Sequence, residues 1–256
     1  MSATEIGARN PAWPSRRNDA TVIASRAGQS VWSPALNPSH TKVVYVSASP
    51  IQIGAFNGAG HIVIADITGH HRHTITTGNE DSDPVWSPRG NEIAFIRDGS
   101  IWLMSPNGRH QLRISAAISA VHSISWAPNG NQIAADSGDP GRIAIIDLRT
   151  NSFRWLTPPG KAQDDPSWSP DGRFLVYTQL GANALFISNL IGVAHQLTVC
   201  NGHCSEDIEP TWSPDGGTIA FVRNTGGTQQ IYVVPSSGGP VREVTHGSVQ
   251  HALPRW

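Results

Sequence analysis

The chain has 256 residues with 18 basic and 19 acidic side chains, and charged residues make up only 14% of it. This near balance argues against a nucleic-acid partner or an anionic membrane surface, because both need a dense basic surface. No apolar run approaches the roughly 18 residues that a membrane-spanning helix needs, so we expect no membrane insertion.

The amino-terminal residues are the basis for predicting the cellular compartment. Residues 1–10 lack the basic stretch and the apolar core of a signal peptide. As it stands the chain is expected in the cytoplasm, or in the periplasm or outside the cell if a leader is removed. Residues 1–20 are predicted to be an N-terminal tail, and residues 21–256 a single repeat domain.

A tryptophan recurs along this domain in the same local sequence. At intervals of 40 to 44 residues, its copies are Trp86, Trp126, Trp168, Trp212 and Trp256. A period of roughly 40 to 45 residues is typical of the four-stranded blades of a β-propeller. One tryptophan in each blade predicts a wedge between neighbouring sheets rather than a sugar-binding surface. Trp32 and Trp155 lie outside this register and are the candidates for an exposed tryptophan.

In chain order, the first predicted strand is residues 21–25, which we expect to be the outer strand of the last blade. The first whole blade starts near Pro34, with Leu36 in place of the tryptophan and an insertion at residues 47–60. Further blades start near residues 83, 123, 165 and 209, and a sixth begins near His251. We therefore predict an all-β propeller of six four-stranded blades, closed by pairing of the N- and C-terminal strands. Five blades is the alternative.

Residues 209–245 show what each blade contains. The tryptophan is followed by a Ser-Pro-Asp-Gly turn, in which proline presets the backbone and glycine tolerates a positive φ. Apolar strands at residues 219–222 and 231–234 come next, and the copy ends in Val244-Thr245. Because these strands have no polar face, they are predicted to be buried on both sides by neighbouring blades.

The repeat thus consists of Pro-x-Trp-Ser-Pro-Asp-Gly, an Ile-Ala-Phe strand, an Ile-Tyr-Val strand and a Leu-Thr ending. This pattern resembles the TolB-type propeller repeat, also called WD40-like or PD40. The resemblance covers residues 34–256. It implies the fold more specifically than the function, because one fold supports many functions. Proteins of this type include TolB, a periplasmic partner-binding protein, and the gating propellers of prolyl-oligopeptidase-like and tricorn-like peptidases. Oligogalacturonate lyases have related propellers.

Acidic residues precede the inner strands of several blades. In a propeller these junctions cross one face near the axis, so the carboxylates are predicted to ring the channel mouth and attract a basic segment or a cation. The alternative is that an acid before Pro-x-Trp belongs to the repeat and caps local backbone donors. The partner-binding candidates are Glu80, Asp81, Asp83, Asp164, Asp165, Glu206, Asp207 and Glu209, with His122, His251 and Arg255.

Signatures of catalysis and of metal binding are weak in this sequence. It contains no nucleophile elbow, no zinc-protease helix and no Walker loop. His122 and His251 precede equivalent strands and could share a metal as in an oligogalacturonate lyase, but they show no local ligand spacing. We therefore predict no metal and no other cofactor. Cys200 and Cys204 indicate a small disulfide or two free thiols rather than a zinc site.

These observations together predict a monomeric, non-catalytic binding scaffold that presents its junction loops to a protein or peptide partner at the channel mouth. Two alternatives are enzymatic. One is a metal-dependent polysaccharide lyase of the oligogalacturonate type, and the other is the substrate-gating propeller of a larger peptidase.

Overall fold

The computed structural model of the protein describes residues 7–8, 21–22, 30–48, 60–78, 80–114, 118–138, 141–200, 202, 204–247 and 254. These residues belong to two compact units, Met1–Ala116 and Ala117–Trp256, whereas the sequence predicts a single domain. The described residues contain five four-stranded sheets and one two-stranded sheet. In each four-stranded sheet consecutive strands are antiparallel neighbours, as in a propeller blade, and we number these sheets blades 1 to 5 in chain order.

The first unit contains the two-stranded sheet and two blades. In the short sheet, β1 (Gly7–Ala8) pairs with β2 (Thr21–Val22). Blade 1 comprises β3 (Ser30–Leu36), β4 (Lys42–Ala48), β5 (His61–Asp66) and β6 (His73–Thr74), and blade 2 comprises β7 (Asp81–Trp86), β8 (Ile93–Arg97), β9 (Ser100–Met104) and β10 (Leu112–Arg113). The inner strands β3 and β7 begin before the proline from which the sequence repeat is counted.

The second unit contains three blades. Blade 3 comprises β11 (Ile124–Trp126), β12 (Gln132–Ser137), β13 (Arg142–Asp147) and β14 (Ser152–Trp155). Blade 4 comprises β15 (Gln163–Trp168), β16 (Phe174–Gln179), β17 (Ala184–Asn189) and β18 (Ala194–Gln196), with a 3₁₀ turn at Leu180–Ala182. Blade 5 comprises β19 (Glu206–Trp212), β20 (Thr218–Thr225), β21 (Thr228–Pro235) and β22 (Arg242–Glu243).

The described residues form five blades, so the preference for six was wrong and the alternative of five is confirmed. Thr21–Val22, predicted to complete the last blade, pairs instead with Gly7–Ala8. The expected inner strand of a sixth blade, residues 251–256, lies outside the described residues except for Pro254. The spacing of residues 21–25 from blade 1 suggested an outer strand, but spacing does not select the partner of so short a strand.

Three of the repeated tryptophans, Trp86, Trp168 and Trp212, are confirmed as wedges. Trp212 lies between Leu185 and Leu197 of blade 4 and Ile219 and Phe221 of blade 5. Equivalent clusters surround the wedges of blades 2 and 4, and exposure is only 6 to 8% for Trp86, Trp126, Trp168 and Trp212. Trp86, Trp168 and Trp212 therefore each bury an aromatic side chain against the two sheets that they separate, which a single blade could not do.

Of the two tryptophans outside the register, Trp155 is 36% exposed and Trp32 is half-buried. Trp155 lies at the end of the outer strand β14, and the guanidinium of Arg142 lies 4.3 Å from the centre of its ring. A cation over the ring covers part of an otherwise exposed aromatic face.

Serine and threonine recur at two positions of the repeat because their hydroxyl groups accept hydrogen bonds from strand amides. The Oγ1 atom of Thr198 accepts the Leu185 N–H at 3.0 Å, and the Oγ atom of Ser169 accepts the Phe174 N–H at 2.9 Å. The same bonds recur in other blades at Thr76, Thr157 and Thr245, and at Ser87 and Ser213. These hydroxyls provide acceptors for strand amides that the sheet itself leaves unpaired.

Candidate functional site

Four of the five inner strands contain the same β-bulge, at the residue that precedes the proline of Pro-x-Trp, or of Pro-x-Leu in blade 1. Two residues of the inner strand oppose one residue of the second strand there. The first residue of each bulge has a positive φ: 48° at Ser33, 43° at Asp83, 51° at Asp165 and 54° at Glu209. This backbone is uncommon outside glycine, and a following proline normally favours extended backbone. The surrounding structure therefore imposes the conformation, and the bulge directs the side chain away from the regular strand pattern.

An aromatic residue on the second strand accompanies each bulge. The residues opposite the four bulges are all buried, and they are Tyr45, Phe95, Tyr177 and Phe221. Blade 3 has no bulge at this position, because Ile124 pairs directly with Ala135. An aromatic in the second strand together with the proline of the inner strand is thus a sequence signal for the bulge.

In the second unit, carboxylates link neighbouring inner strands. The Oδ2 atom of Asp165 in blade 4 accepts the N–H of Glu209 in blade 5 at 3.1 Å. The Oδ1 atom of Asp164 accepts the N–H of Asp165 at 2.9 Å. These bonds agree with the alternative that acids before Pro-x-Trp cap backbone donors. All three side chains are nevertheless only half-buried, and a carboxylate can accept several hydrogen bonds at once.

Asp81 and Asp207 are buried and form ion pairs inside their blades. Both carboxylates are fully buried, and each forms two hydrogen bonds with an arginine on the neighbouring strand. Arg97 Nε lies 2.5 Å from Asp81 Oδ1, and Arg223 Nε lies 2.7 Å from Asp207 Oδ1. The bonds to Asp207 raise the pKa of Arg223. Because a partner has no access to these two buried carboxylates, we leave them out of the surface proposed below.

The other predicted residues differ in exposure. Glu206 is half-buried at the beginning of the inner strand of blade 5. In the first unit Glu80 is exposed and Asp83 is half-buried. The remaining two, His251 and Arg255, lie outside the described residues. The second unit thus brings Asp164, Asp165 and Glu209 together through their hydrogen bonds.

Sequence reasoning missed Asp136, the most unusual acid in the second unit. It lies on the second strand of blade 3 and is 2% exposed. Its Oδ1 atom accepts the backbone N–H of His122 at 2.7 Å and of Ser123 at 3.0 Å. His122 Nδ1 lies 3.8 Å from Oδ2, and the His122 side chain is 66% exposed. Asp136 therefore anchors the segment that enters the inner strand of blade 3.

Asp164 on blade 4 influences the buried carboxyl of Asp136. Burial, followed by the contact with Asp164, raises the pKa of Asp136 far above its ordinary value. In the sister blades the equivalent position is uncharged, as the register of the second strands shows: Ile96, Thr178 and Val222. Comparison of the repeat copies could have found this acid.

The described residues contain no group of three or more His, Cys, Asp or Glu side chains arranged to hold a metal ion. Cys200 and Cys204 are joined by a disulfide with a Cα–Cα distance of 5.4 Å, which is within the ordinary range. Of the two arrangements predicted for these cysteines, the structure has the disulfide. In the part of the chain that the structure describes, no helix is long and apolar enough to cross a membrane.

Comparison with known proteins establishes the family. The PD40 family, described as the TolB beta propeller domain, matches residues 16–195, which is more than half of the chain. The chain belongs to the TolB β-propeller family. This confirms the resemblance inferred from the repeat, and it agrees with blades made of four consecutive strands.

Two curated relatives of this TolB-family chain are similar over 81% of its length. The uncharacterized peptidase YuxL of Bacillus subtilis is 26% identical over 215 residues, and the Tol-Pal system protein TolB of Francisella tularensis subsp. mediasiatica is 25% identical over 221 residues. The aligned parts make up 31% and 50% of those proteins. The chain therefore spans half or less of the length of these relatives.

Solved structures show the same fold. A protein from Agrobacterium tumefaciens assigned as TolB has a TM-score of 0.73 at 17% identity, covering 87% of this chain and 82% of that one. TolB from Acinetobacter baumannii has a TM-score of 0.65 at 20% identity, covering 88% and 55%. An oligogalacturonate lyase in complex with manganese has a TM-score of 0.62 at 13% identity, covering 82% and 64%. At these identities the similarity establishes the propeller fold alone.

Proposed function

We propose that this chain is a non-catalytic binding scaffold whose second unit presents an acidic surface to a protein or peptide. The acidic surface consists of Asp164, Asp165, Glu206 and Glu209, with the exposed His122 as an additional member. The observation that carries the proposal is the hydrogen bond from the Glu209 amide to Asp165, because it connects the acidic positions of two inner strands.

The chemistry of the acidic surface favours a partner with basic residues. Half-buried carboxylates attract a cation more strongly than fully exposed ones, since the local dielectric constant is lower and the field is less screened. A segment with lysine or arginine side chains complements that charge. Because the innermost strands of a propeller surround its central channel, we place the acidic surface at the channel mouth. Glu80 and Asp83 of the first unit are proposed to serve the same partner.

The similarity to a TolB of the Tol-Pal system supports a role in binding other proteins rather than in catalysis. The protein is proposed to act as a monomer, with no cofactor. Its compartment remains a prediction from the amino-terminal sequence.

A binding titration tests the acidic surface. The probe is a fluorescein-labelled oligo-arginine peptide, with a labelled oligo-glutamate peptide as the charge control. The double variant E206Q/E209Q should bind the basic peptide about 5- to 30-fold more weakly, because such ion pairs contribute about 0.5–1 kcal/mol each. Binding should also weaken with added salt.

The matched control is E92Q/E243Q, which neutralises two half-buried carboxylates outside the acidic surface. This control variant should bind the peptide like the unmodified protein. Equal weakening in both double variants would mean that net charge rather than the acidic surface determines binding. Binding that is insensitive to salt would also contradict the proposal.

The similarity to the peptidase YuxL favours a second candidate, in which the chain is the substrate-gating propeller of a larger peptidase. Reading the gene beyond codon 256 tests it. A hydrolase domain encoded in frame supports gating, and a stop codon at that point contradicts it. The lyase alternative predicts a bound metal ion that is lost in H122A, which elemental analysis of the purified protein would detect.

A further inference from the structure

The junction that leads into blade 5 differs from the junction into blade 4 in its length and in its covalent bond. Seven residues, 199–205, lie between Thr198 and β19, whereas five residues, 158–162, lie between Thr157 and β15. A longer connection has more conformational freedom to lose when the protein folds. The disulfide between Cys200 and Cys204 closes the middle of the longer junction into a ring and removes part of that freedom.

Hydrogen bonds attach both ends of this ring to the beginning of the inner strand β19. Before the ring, the Val199 carbonyl oxygen accepts a hydrogen bond from Nη2 of Arg223 at 3.4 Å, and the same nitrogen donates to Asp207 Oδ2 at 2.7 Å. After the ring, the Ser205 N–H donates to the Asn224 carbonyl oxygen at 2.9 Å. The disulfide therefore holds together two chain segments that are both bonded to the first residues of blade 5.

The disulfide lies where a reductant can reach it in the folded protein. Cys200 and Cys204 are both half-buried, and Val199 and Gly202 beside them are exposed. Reduction of a disulfide requires a thiolate to reach one of its sulfur atoms, so access from solvent controls the reaction. Blade 5 therefore does not have to unfold before the bond can be cleaved.

We propose that the Cys200–Cys204 bond is a redox-controlled clamp on the beginning of β19, with a dithiol reductant as its reaction partner. One thiolate of the dithiol attacks a cysteine sulfur and forms a mixed disulfide, and the other cysteine leaves as a thiolate. The second thiolate of the dithiol then displaces the first cysteine. The protein gains two electrons and two protons, and the dithiol is oxidised to a disulfide.

The effect of reduction is expected to be local. Ser205 and Asp207 carry the backbone amides that lie after the ring, and Asp207 donates its N–H to the Asn183 carbonyl oxygen at 3.3 Å. Opening the ring lets these bonds break without unfolding the sheet, so both amide hydrogens should exchange with solvent faster. Glu206 of the acidic surface is the first residue of β19, so the redox state of the clamp determines how firmly that side chain is held.

Hydrogen exchange measured by mass spectrometry on the air-oxidised protein, before and after reduction with dithiothreitol, tests the clamp. Exchange over residues 205–209 should be about 5- to 30-fold faster after reduction, the upper value being the loop-closure effect of so short a ring. The inner strand of blade 4, residues 163–168, is the internal control and should exchange at an unchanged rate. C200S/C204S should exchange like the reduced protein and should not respond to dithiothreitol.

Three results would overturn the proposal, and each is obtained on the unmodified protein, so none depends on the folding of the variant. Reaction of both cysteines with iodoacetamide before any reductant is added would mean that the protein has no disulfide in solution. Unchanged exchange over residues 205–209 would mean that the ring does not hold β19. Equally faster exchange over residues 163–168 would mean that the bond is a general crosslink. None of these measurements depends on whether the acidic surface binds a basic partner.

Discussion

Trp212 and Trp168, two wedges in the second unit, differ in the hydrogen bonding of their indole N–H groups, and this difference predicts different effects of mutation on stability. Trp212 donates its Nε1 hydrogen to the Ser167 carbonyl oxygen at 3.1 Å, whereas Nε1 of Trp168 is buried with no partner among the described residues. Replacing either by alanine should cost about 3–5 kcal/mol, because both fill the space between two sheets. Replacement by phenylalanine removes similar ring area at both sites. W212F also loses a hydrogen bond, and W168F removes an unpaired donor.

A buried polar group left without its partner costs about 1–3 kcal/mol, so W212F should be less stable than W168F by about 2 kcal/mol. For a protein of this size that difference corresponds to a shift of about 4–8 °C in the unfolding midpoint. Urea denaturation gives the free energy of unfolding, and the slope with urea should be unchanged in both variants. W155F, at a 36% exposed side chain, is the control and should change stability by less than about 0.5 kcal/mol. If W168F lowers the free energy of unfolding as much as W212F does, the hydrogen bond of the Trp212 indole does not contribute to stability.

Three further predictions concern bonds that recur in the blades. R223M leaves Asp207 buried without its cation and should cost about 3–5 kcal/mol in urea denaturation, and adding D207N should recover part of the loss. T198V removes the acceptor for a buried amide of the third strand, so it should cost about 1–3 kcal/mol by the same assay, while loss below 0.5 kcal/mol would count against that bond. The hydrogen bond from Ser213 lowers the pKa of Asp215, so its stabilisation is present above about pH 4 and lost as the pH falls through the lowered value. S213A should therefore flatten the stability curve below about pH 4 in thermal unfolding, and an unchanged curve would contradict this.

Features with a local cause could be predicted from the sequence. The glycine of the Ser-Pro-Asp-Gly turn has φ between 71° and 74° in blades 2 to 5, which is the conformation that made glycine necessary there. The Leu-Thr ending has an equally local cause, because the threonine hydroxyl binds an amide of the adjacent third strand. The number of blades could not be predicted, since it depends on which distant segment pairs with Thr21–Val22.

The candidate site was predicted less well, because the acids before Pro-x-Trp occupy repeat positions that differ in burial. Asp207 and Glu209 are two residues apart in the same inner strand, but one is fully buried and the other half-buried. The difference was visible in the sequence of blades 2 and 5, where Arg97 and Arg223 lie on the second strand opposite the buried acids. In blade 4 the equivalent pair is Gln163 and Gln179, so the two positions change together.

In a repeat protein, an acid that recurs at the same position in several blades and an acid that occurs in one blade alone therefore have different explanations. Asp165 and Glu209 occupy the bulge that four blades share, so their position follows from the fold and only their exposed oxygens are available for a partner. Asp136 occupies a position where blades 2 and 5 have the buried apolar residues Ile96 and Val222, and it instead accepts two backbone N–H groups. Departures from local rules are most often retained where they serve a function. Asp136 is for this reason the acid of the second unit whose presence is explained by its hydrogen bonds rather than by packing.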